Sequence, residues 1–204
     1  YPPLLYLLGR MLWIGFRGPG GGLRPSAPIG LLALATVALI CFRIAINVGD
    51  AGVIDVGYAG VIGADRVLSG EPIYGPNSFP TDNSTGDTYG PANYYAYVPF
   101  ELAFGWSGAW DSLPAARAAS IFFDLAALAG LFVLGRRLIA GAGGTRLGIV
   151  LAFAWAAFPY TAFALQSNSN DALVGALVVW ALVAIASPMG RGALLAVASA
   201  VKFA

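Results

Sequence analysis

Long apolar runs alternate with short basic connections along most of this chain, and one long polar stretch interrupts them. Five apolar runs are predicted to be membrane spans: residues 29–48, 115–135, 147–165, 172–186 and 192–204, the last ending with the chain. A helix needs about 20 apolar residues to cross the hydrocarbon core of a bilayer, where every backbone polar group must be paired. The pattern therefore predicts an all-α, polytopic bundle of transmembrane helices.

The first 28 residues do not fit this pattern. The apolar run at residues 4–16 is interrupted by Gly9 and Arg10 and is too short to cross a bilayer, which favours a helix in the interface. A linker rich in glycine and proline follows it. We predict a cytoplasmic helix and linker at 1–28 and a transmembrane domain at 29–204. Because the chain starts at Tyr1 and stops within an apolar run, we expect it to be the N-terminal part of a longer protein.

Positive charges lie on alternate connections between the spans. They precede the first span, join the second to the third and join the fourth to the fifth: Arg10, Arg17, Arg24, Arg136, Arg137, Arg146 and Arg191. By the positive-inside rule these connections are cytoplasmic. The chain is therefore predicted to be a multi-pass plasma-membrane protein, with the loop at 47–114 and the turn at 166–171 together on the extracytoplasmic face.

The long loop at 47–114 concentrates the acidic and aromatic residues of the chain. It holds eight of the ten acidic residues and six of the nine tyrosines, but only one basic residue, Arg66. Capping and turn residues predict a helix at 55–69, lying in the interface and ending before Gly70, and then a mobile segment rich in proline, glycine and asparagine at 76–91. The aromatic stretch at 93–110 has the composition of a membrane-interface belt.

Composition removes several classes of function. A net charge of +1 argues against a nucleic-acid partner, which requires a basic surface. The chain has no histidine, the commonest metal ligand and acid–base residue, and its single cysteine forms no intrachain disulfide. We predict no metal and no cofactor, so chemistry in this chain would rest on carboxylates, hydroxyls or amides.

Two carboxylates follow the first span closely enough to act at the membrane surface. Asp55 starts the helix predicted in the loop, and Asp50 lies nearer the membrane. Partial loss of solvent raises the pKa of a carboxylate at such a place and makes it a better general base. The alternative for Asp55 is a helix N-cap, a position that aspartate favours. The sequence leaves both roles open.

Polar residues within or near the spans form a second group of candidates. Arg43 and Arg117 lie toward the outer side and are suited to binding a phosphate, whereas Asp124 and Lys202 are predicted at similar depth and would neutralise each other. The turn after the third span is polar throughout, and Asn170 is a helix cap in the alternative interpretation. The candidates in this turn are Gln166, Asn168, Asn170 and Asp171.

Three stretches carry a resemblance to a known family. They are I-D-V-G-Y-A-G-V-I-G-A-D-R-V-L-S-G-E-P-I-Y-G, Y-G-P-A-N-Y-Y-A-Y-V-P-F-E and L-Q-S-N-S-N-D. Their order, after one span and before several others, resembles the GT-C glycosyltransferase fold. It is similar more specifically to actinobacterial membrane mannosyltransferases that use a polyprenyl-phosphate-mannose donor. The resemblance implies a GT-C-like bundle with short interfacial helices in its first extracytoplasmic loop.

The same resemblance implies an activity and its site. In that family the aspartate after the first span is the catalytic base, and Asp55 matches it best because Tyr58, Gly70 and Tyr74 follow in order. The spacing from Tyr58 to Gly70 is slightly longer than in the family, so Asp50 stays open. Substrate contacts are expected from loop, turn and arginine side chains: Tyr58, Tyr74, Tyr89, Asn93, Arg117, Arg43, Gln166, Asn168 and Asn170.

The implied reaction moves a sugar, mannose or another hexose or pentose, from a polyprenyl-phosphate donor to a glycan or glycolipid acceptor. It would take place on the extracytoplasmic face of the bilayer. The alternatives are a polytopic transporter and a non-catalytic membrane subunit, since intramembrane charges and glycine-rich spans also suit a transport path.

Overall fold

The computed structural model describes residues 2–17, 27–50 and 52–202, and within these ranges the chain is all-α without strands. The nine α-helices of these ranges are α1 (Pro2–Arg17), α2 (Ile29–Asp50), α3 (Asp55–Ser69), α4 (Pro91–Phe104), α5 (Pro114–Leu138), α6 (Gly141–Ala157), α7 (Pro159–Gln166), α8 (Asp171–Val183) and α9 (Pro188–Val201). The predicted all-α class is confirmed.

Within the described residues, two helices are long and apolar enough to cross a membrane. They are α2, of 22 residues, and α5, of 25 residues, and they match the first two predicted spans. The pair α6 and α7 makes a third candidate if its two helices form one bent span. Helices α8 and α9 contain only 13 and 14 residues, fewer than a hydrocarbon core requires. These two or three candidate spans indicate an integral membrane protein.

The third predicted span, expected to be one helix at 147–165, is broken instead. Helices α6 and α7 meet at an angle of 61° across Phe158, which has an extended backbone. Pro159 follows directly; it has no N–H to donate and disfavours a helical conformation in the residue before it. The prediction of a continuous helix was wrong because it gave this proline no weight.

A buried ion pair lies beside this break, and its arginine is hydrogen-bonded to residues on both sides of it. The Arg43 guanidinium of α2 donates hydrogen bonds to the Ala156 carbonyl (3.1 Å) and to the carbonyl and hydroxyl of Thr161 (both 3.0 Å). It also pairs with Asp124 of α5 at 2.7 Å, both side chains being only 5% exposed. Trp155 Nε1 donates to the same carboxylate oxygen of Asp124 at 2.8 Å. Arg43 therefore binds α2 to α5 and to both halves of the broken pair.

The expected neutralisation of Asp124 by Lys202 is wrong. Asp124 lies within the bundle beside Arg43, whereas Lys202, just after α9, pairs with Asp171 at the start of α8. Because α8 and α9 pack side by side and run in opposite directions, the end of α9 returns to the start of α8. The partner of Lys202 is therefore determined by the order in which the helices pack, and not by its depth along an apolar run.

The loop between α2 and α5 folds into a helical layer over one end of the bundle. We call this end, where α2 and α7 finish and α5 and α8 begin, the loop-side end. The helix predicted at 55–69 is confirmed as α3, and its side chains form a core with the rings of Tyr94 and Tyr97 on α4. Between α3 and α4, short 3₁₀ helices at Thr81–Asn83 and Gly86–Thr88 cover α3. The segment expected to be mobile contributes the buried side chains of Phe79 and Asn83 to this layer.

Candidate functional site

The polar turn at 166–171 is held by the end of α2 and by the chain that follows it. Asn47 donates hydrogen bonds from Nδ2 to the Leu165 carbonyl (2.7 Å) and to Asn168 Oδ1 (2.9 Å), and both asparagines are fully buried. Gln166 Nε2 donates to the Asp50 carbonyl, and Asn168 Nδ2 donates to the Gly52 carbonyl at 3.3 Å. Gln166 and Asn168 therefore fix the loop to the bundle close to the two candidate carboxylates.

Asn170 and Asn93, two predicted substrate contacts, meet in the interior. Asn170 Nδ2 donates to Asn93 Oδ1 at 3.0 Å, and neither side chain is exposed. Asn170 occupies the N-cap position of α8, as the alternative interpretation predicted, but its side chain makes no capping bond, and the Asp171 N–H donates to Ser169 Oγ. The asparagine pair joins α4 to the polar turn. Because both amides are buried, neither is accessible at the surface of the protein.

Asp55 is the first residue of α3 and its side chain is exposed. Ile54 occupies the N-cap position and no side chain caps this helix, so the capping interpretation of Asp55 is wrong. The Asp55 carbonyl accepts a hydrogen bond from Asn83 Nδ2 at 3.0 Å, which fixes its backbone. A carboxylate in the first turn of a helix is stabilised by the positive end of the helix dipole. Asp55 thus presents an ionisable group at a defined place.

Asp50 is the last residue of α2, five positions before Asp55, and its side chain is also exposed. Its backbone is held by the hydrogen bond from Gln166. Both candidate bases therefore lie on the same short connection at the loop-side end.

The Tyr89 phenol is influenced by two carboxylates, that of Asp55 and that of Asp171 at the start of α8. Burial raises the pKa of the Tyr89 phenol, and the negative charges of Asp55 and Asp171 raise it further. The Tyr74 hydroxyl donates to the Tyr89 carbonyl at 3.0 Å and so fixes the backbone there. The hydrogen bond joins Tyr74 to Tyr89, and we group these two residues with Asp55 and Asp171, whose charges act on Tyr89, as the loop-side cluster.

Lys202 is a member of this cluster that sequence reasoning assigned elsewhere. Its ammonium pairs with Asp171 at 2.7 Å, and the Tyr160 hydroxyl donates to the other oxygen of that carboxylate at 3.3 Å. The Gly90 N–H donates to the Val201 carbonyl at 3.1 Å, which joins the segment after Tyr89 to the end of α9. The predicted topology contained the signal, because it put the start of the fourth span and the end of the fifth on one face.

Tyr58 belongs to the core of the loop layer. It is 1% exposed, and its ring stacks on Trp110 with centroids 4.8 Å apart. Burial raises the pKa of its phenol, and the nearby carboxylates of Asp82 and Asp111 raise it further. Because it has so little exposed surface, Tyr58 packs within the loop layer and is not accessible for contact with a substrate.

The two arginines proposed for phosphate binding have different environments. Arg43 is buried among Asp124, Ala156 and Thr161, and its Nη atoms are used in those hydrogen bonds. Arg117, in the first turn of α5, is partly exposed at the loop-side end and donates from Nη1 to the Val48 carbonyl at 3.1 Å. Arg117 is therefore accessible at the loop-side end, whereas Arg43 is enclosed within the bundle.

An apolar cavity of about 450 Å³ opens between α5, α6, α7 and α8. Its walls include Leu131, Leu151 and Trp155, and its polar residues are Tyr160, Thr161 and Asp171. Because Asp171 also pairs with Lys202, the cavity extends to this ion pair at the loop-side end.

Comparison with protein-family models, with curated proteins and with solved structures finds no match to this chain.

Proposed function

We propose that this chain carries the catalytic part of a membrane glycosyltransferase of the GT-C type. It moves a sugar from a polyprenyl-phosphate donor to a glycan or glycolipid acceptor on the extracytoplasmic face. One observation supports this proposal above the others. The exposed Asp55 carboxylate begins α3, and the partly exposed Lys202 ammonium pairs with Asp171 at the start of α8, so the loop-side end carries both a base and a cation.

The roles follow from the bonds that change. Asp55 takes the proton of the acceptor hydroxyl while the oxygen of that hydroxyl forms a bond to the anomeric carbon of the donor sugar. The bond from that carbon to the phosphate oxygen breaks, and the polyprenyl phosphate leaves with the bonding electrons. A positioned base and cationic groups at the leaving phosphate lower the free energy of this transition state.

Asp55 is the preferred base, and Asp50 is the alternative. Asn83 Nδ2 donates to the Asp55 carbonyl at 3.0 Å, and this hydrogen bond fixes the backbone that carries the Asp55 carboxylate. Its place in the first turn of α3 also holds it on a rigid element, which suits a group that must meet a reacting hydroxyl.

A transporter is the second candidate, and the break between α6 and α7 favours it. Many transporters bind their substrates at broken helices near the middle of the bilayer. In this chain, however, Arg43 already satisfies backbone carbonyls on both sides of the break, at Ala156 and Thr161. The break is therefore closed by the protein's own side chain.

Sealed proteoliposomes containing the full-length protein separate the two functions. The donors are polyprenyl phosphates carrying a radiolabelled mannose, glucose or arabinose, each supplied with a soluble glycan acceptor. A transferase moves the label from the lipid donor into the soluble glycan and releases an equal amount of polyprenyl phosphate. A transporter moves label across the bilayer with the sugar–phosphate bond intact, and that result would contradict the proposal.

A further inference from the structure

The apolar cavity lies at the break between α6 and α7. The two helices meet at 61°, and residues on both sides of the break, Trp155 and Tyr160, line the cavity. The cavity walls are almost entirely hydrocarbon, from Leu131, Leu151, Trp155 and Phe158, and its volume is about 450 Å³. A cavity of this size is in the range that binds small ligands, and its lining excludes a sugar or another strongly polar group.

The only acidic residue among the side chains that line the cavity is Asp171, and it is paired with Lys202. An ammonium has three N–H donors. Asp171 accepts one from Lys202, and the described part of the chain offers no hydrogen-bond partner for the other two. Lys202 is also partly exposed, with 41% of its side-chain surface accessible. A charged group with free donors thus lies beside an apolar cavity.

We infer that the cavity and Lys202 together bind a polyprenyl phosphate: the cavity holds part of the hydrocarbon chain, and Lys202 binds the phosphate. The identity of this lipid rests on the proposed function. Asp171 acts as a positioning residue that holds the ammonium at the cavity, and the Tyr160 hydroxyl in turn holds Asp171.

Charge and position favour this occupant over a neutral lipid or a free anion. A neutral chain would not need the cation, and a free phosphate would not need the cavity. The Gly90 N–H donates to the Val201 carbonyl at 3.1 Å, so the segment that carries Tyr89 lies against the end of α9, next to the ammonium that would bind the phosphate. Arg43, one of the two arginines that the sequence suggested for binding a phosphate, is buried and bonded to Asp124.

Binding measurements on the full-length protein test this inference without any sugar transfer. Native mass spectrometry in detergent micelles would measure the binding of undecaprenyl phosphate, with undecaprenol and inorganic phosphate as the two partial ligands. Lys202→Gln removes the charge, and Ala154→Trp fills the cavity from one of its lining positions. We expect each change to weaken binding of undecaprenyl phosphate by about tenfold or more, the effect of losing a charged hydrogen bond or of blocking a pocket.

Two matched variants control for general damage. Arg191→Gln removes a positive charge from the first turn of the same helix, and Ala157→Trp adds the same ring at an exposed α6 position outside the cavity. Both should bind as the wild type does, and Lys202→Arg should retain binding because it keeps the charge. Unfolding temperatures of all five variants identify any that do not fold.

The result that overturns the inference is full binding by Lys202→Gln or by Ala154→Trp, since one site requires both parts. Equal binding of undecaprenol and its phosphate would also overturn it. Asp55→Asn, which removes the proposed base, should bind the lipid normally. If the lipid binds as expected and no sugar is ever transferred, the proposed function fails while this binding site stands.

Discussion

At the scale of single residues, Arg117 is the arginine whose environment suits a donor phosphate. It lies in the first turn of α5, and its guanidinium also contacts the last turn of α2 through the Val48 carbonyl. A guanidinium binds a phosphate through two parallel hydrogen bonds, which an ammonium does not reproduce. Lysine keeps the positive charge but loses this geometry.

We therefore expect Arg117→Lys to raise the KM for the polyprenyl-phosphate donor while expression and membrane insertion stay normal. Loss of a charged hydrogen bond of about 1.5–3 kcal/mol corresponds to a tenfold or greater change. Steady-state kinetics with varied donor concentration would measure it. Unchanged kinetics would reduce Arg117 to a residue that joins α5 to α2.

Glu101 of α4 gives a prediction about pH. It is 4% exposed, its Oε1 accepts a hydrogen bond from the Trp106 N–H, and its Oε2 has no partner among the described residues. Burial raises the pKa of this carboxyl, which the Trp106 hydrogen bond opposes and the charge of Asp65 assists. The folded state therefore holds the proton more tightly than the unfolded state. The contribution of Glu101 to stability falls as pH rises above the unfolded value of about 4.3.

Glu101→Gln should accordingly raise the unfolding temperature at pH 7 and change it little at pH 4. The amide still accepts the Trp106 hydrogen bond and carries no charge into the interior. Thermal unfolding in detergent at the two pH values would measure this. A variant that is less stable than the wild type at pH 7 would show that the fold needs the charged carboxylate.

Residue-scale prediction from sequence worked where a motif fixed the chain locally. The helix that Asp55 begins was predicted at 55–69 and is found there, and the Tyr74 hydroxyl donates to the Tyr89 carbonyl within the same folded loop. Tyr58 belongs to the same motif but faces the core, since only the packing of Trp106 and Trp110 on its ring decides its orientation. Whether such a side chain points to the core or to the surface can be predicted only when the neighbouring elements are known.

At the scale of elements, the Arg43–Asp124 pair determines how α2, α5 and the bent α6–α7 pair fit together. Removing one partner of a buried ion pair leaves an uncompensated charge, at a cost of about 3–5 kcal/mol, whereas replacing both partners with apolar residues is often neutral. Asp124→Leu should therefore lower the unfolding temperature strongly. The double variant Arg43→Met/Asp124→Leu should recover part of that loss.

Thermal unfolding of the two single variants and the double variant, all in one detergent, measures this coupling. A double variant that loses the sum of the two single losses would show that the residues act independently. The recovery should be incomplete, because methionine donates no hydrogen bonds to the Ala156 and Thr161 carbonyls at the break.

The element boundaries show what hydrophobicity alone predicts. The first two spans and α3 were predicted to within a few residues, since capping residues and apolar length determine them locally. The break at Pro159 had a visible sequence signal, but the continuous apolar run around it concealed its effect. The partner of Lys202 required knowledge of how α8 and α9 pack, which no local pattern contains.

At the scale of the whole molecule, the proposed function requires the loop layer to face away from the cytoplasm. Cysteine labelling in intact cells measures this directly, in a Cys41→Ser background that removes the native thiol. Ser84→Cys, exposed between the two 3₁₀ helices, should react with an impermeant maleimide from outside. Arg146→Cys, exposed in α6 on the predicted cytoplasmic side, should react only after the cells are opened. The opposite pattern would reverse the topology.

The central claim is that Asp55 removes the acceptor proton, and Asp55→Asn tests it most directly. Asparagine keeps the size of the side chain, and the fold should persist because Asp55 makes no side-chain capping bond. The measurement is transfer of labelled sugar from a polyprenyl-phosphate donor by the full-length protein, with Asp50→Asn as the matched control on the same connection. We expect Asp55→Asn to lower the rate by about 10²–10⁴-fold, the usual effect of losing a general base, and Asp50→Asn to retain activity. Normal transfer by Asp55→Asn would contradict the account, and loss in Asp50→Asn alone would assign the base to Asp50.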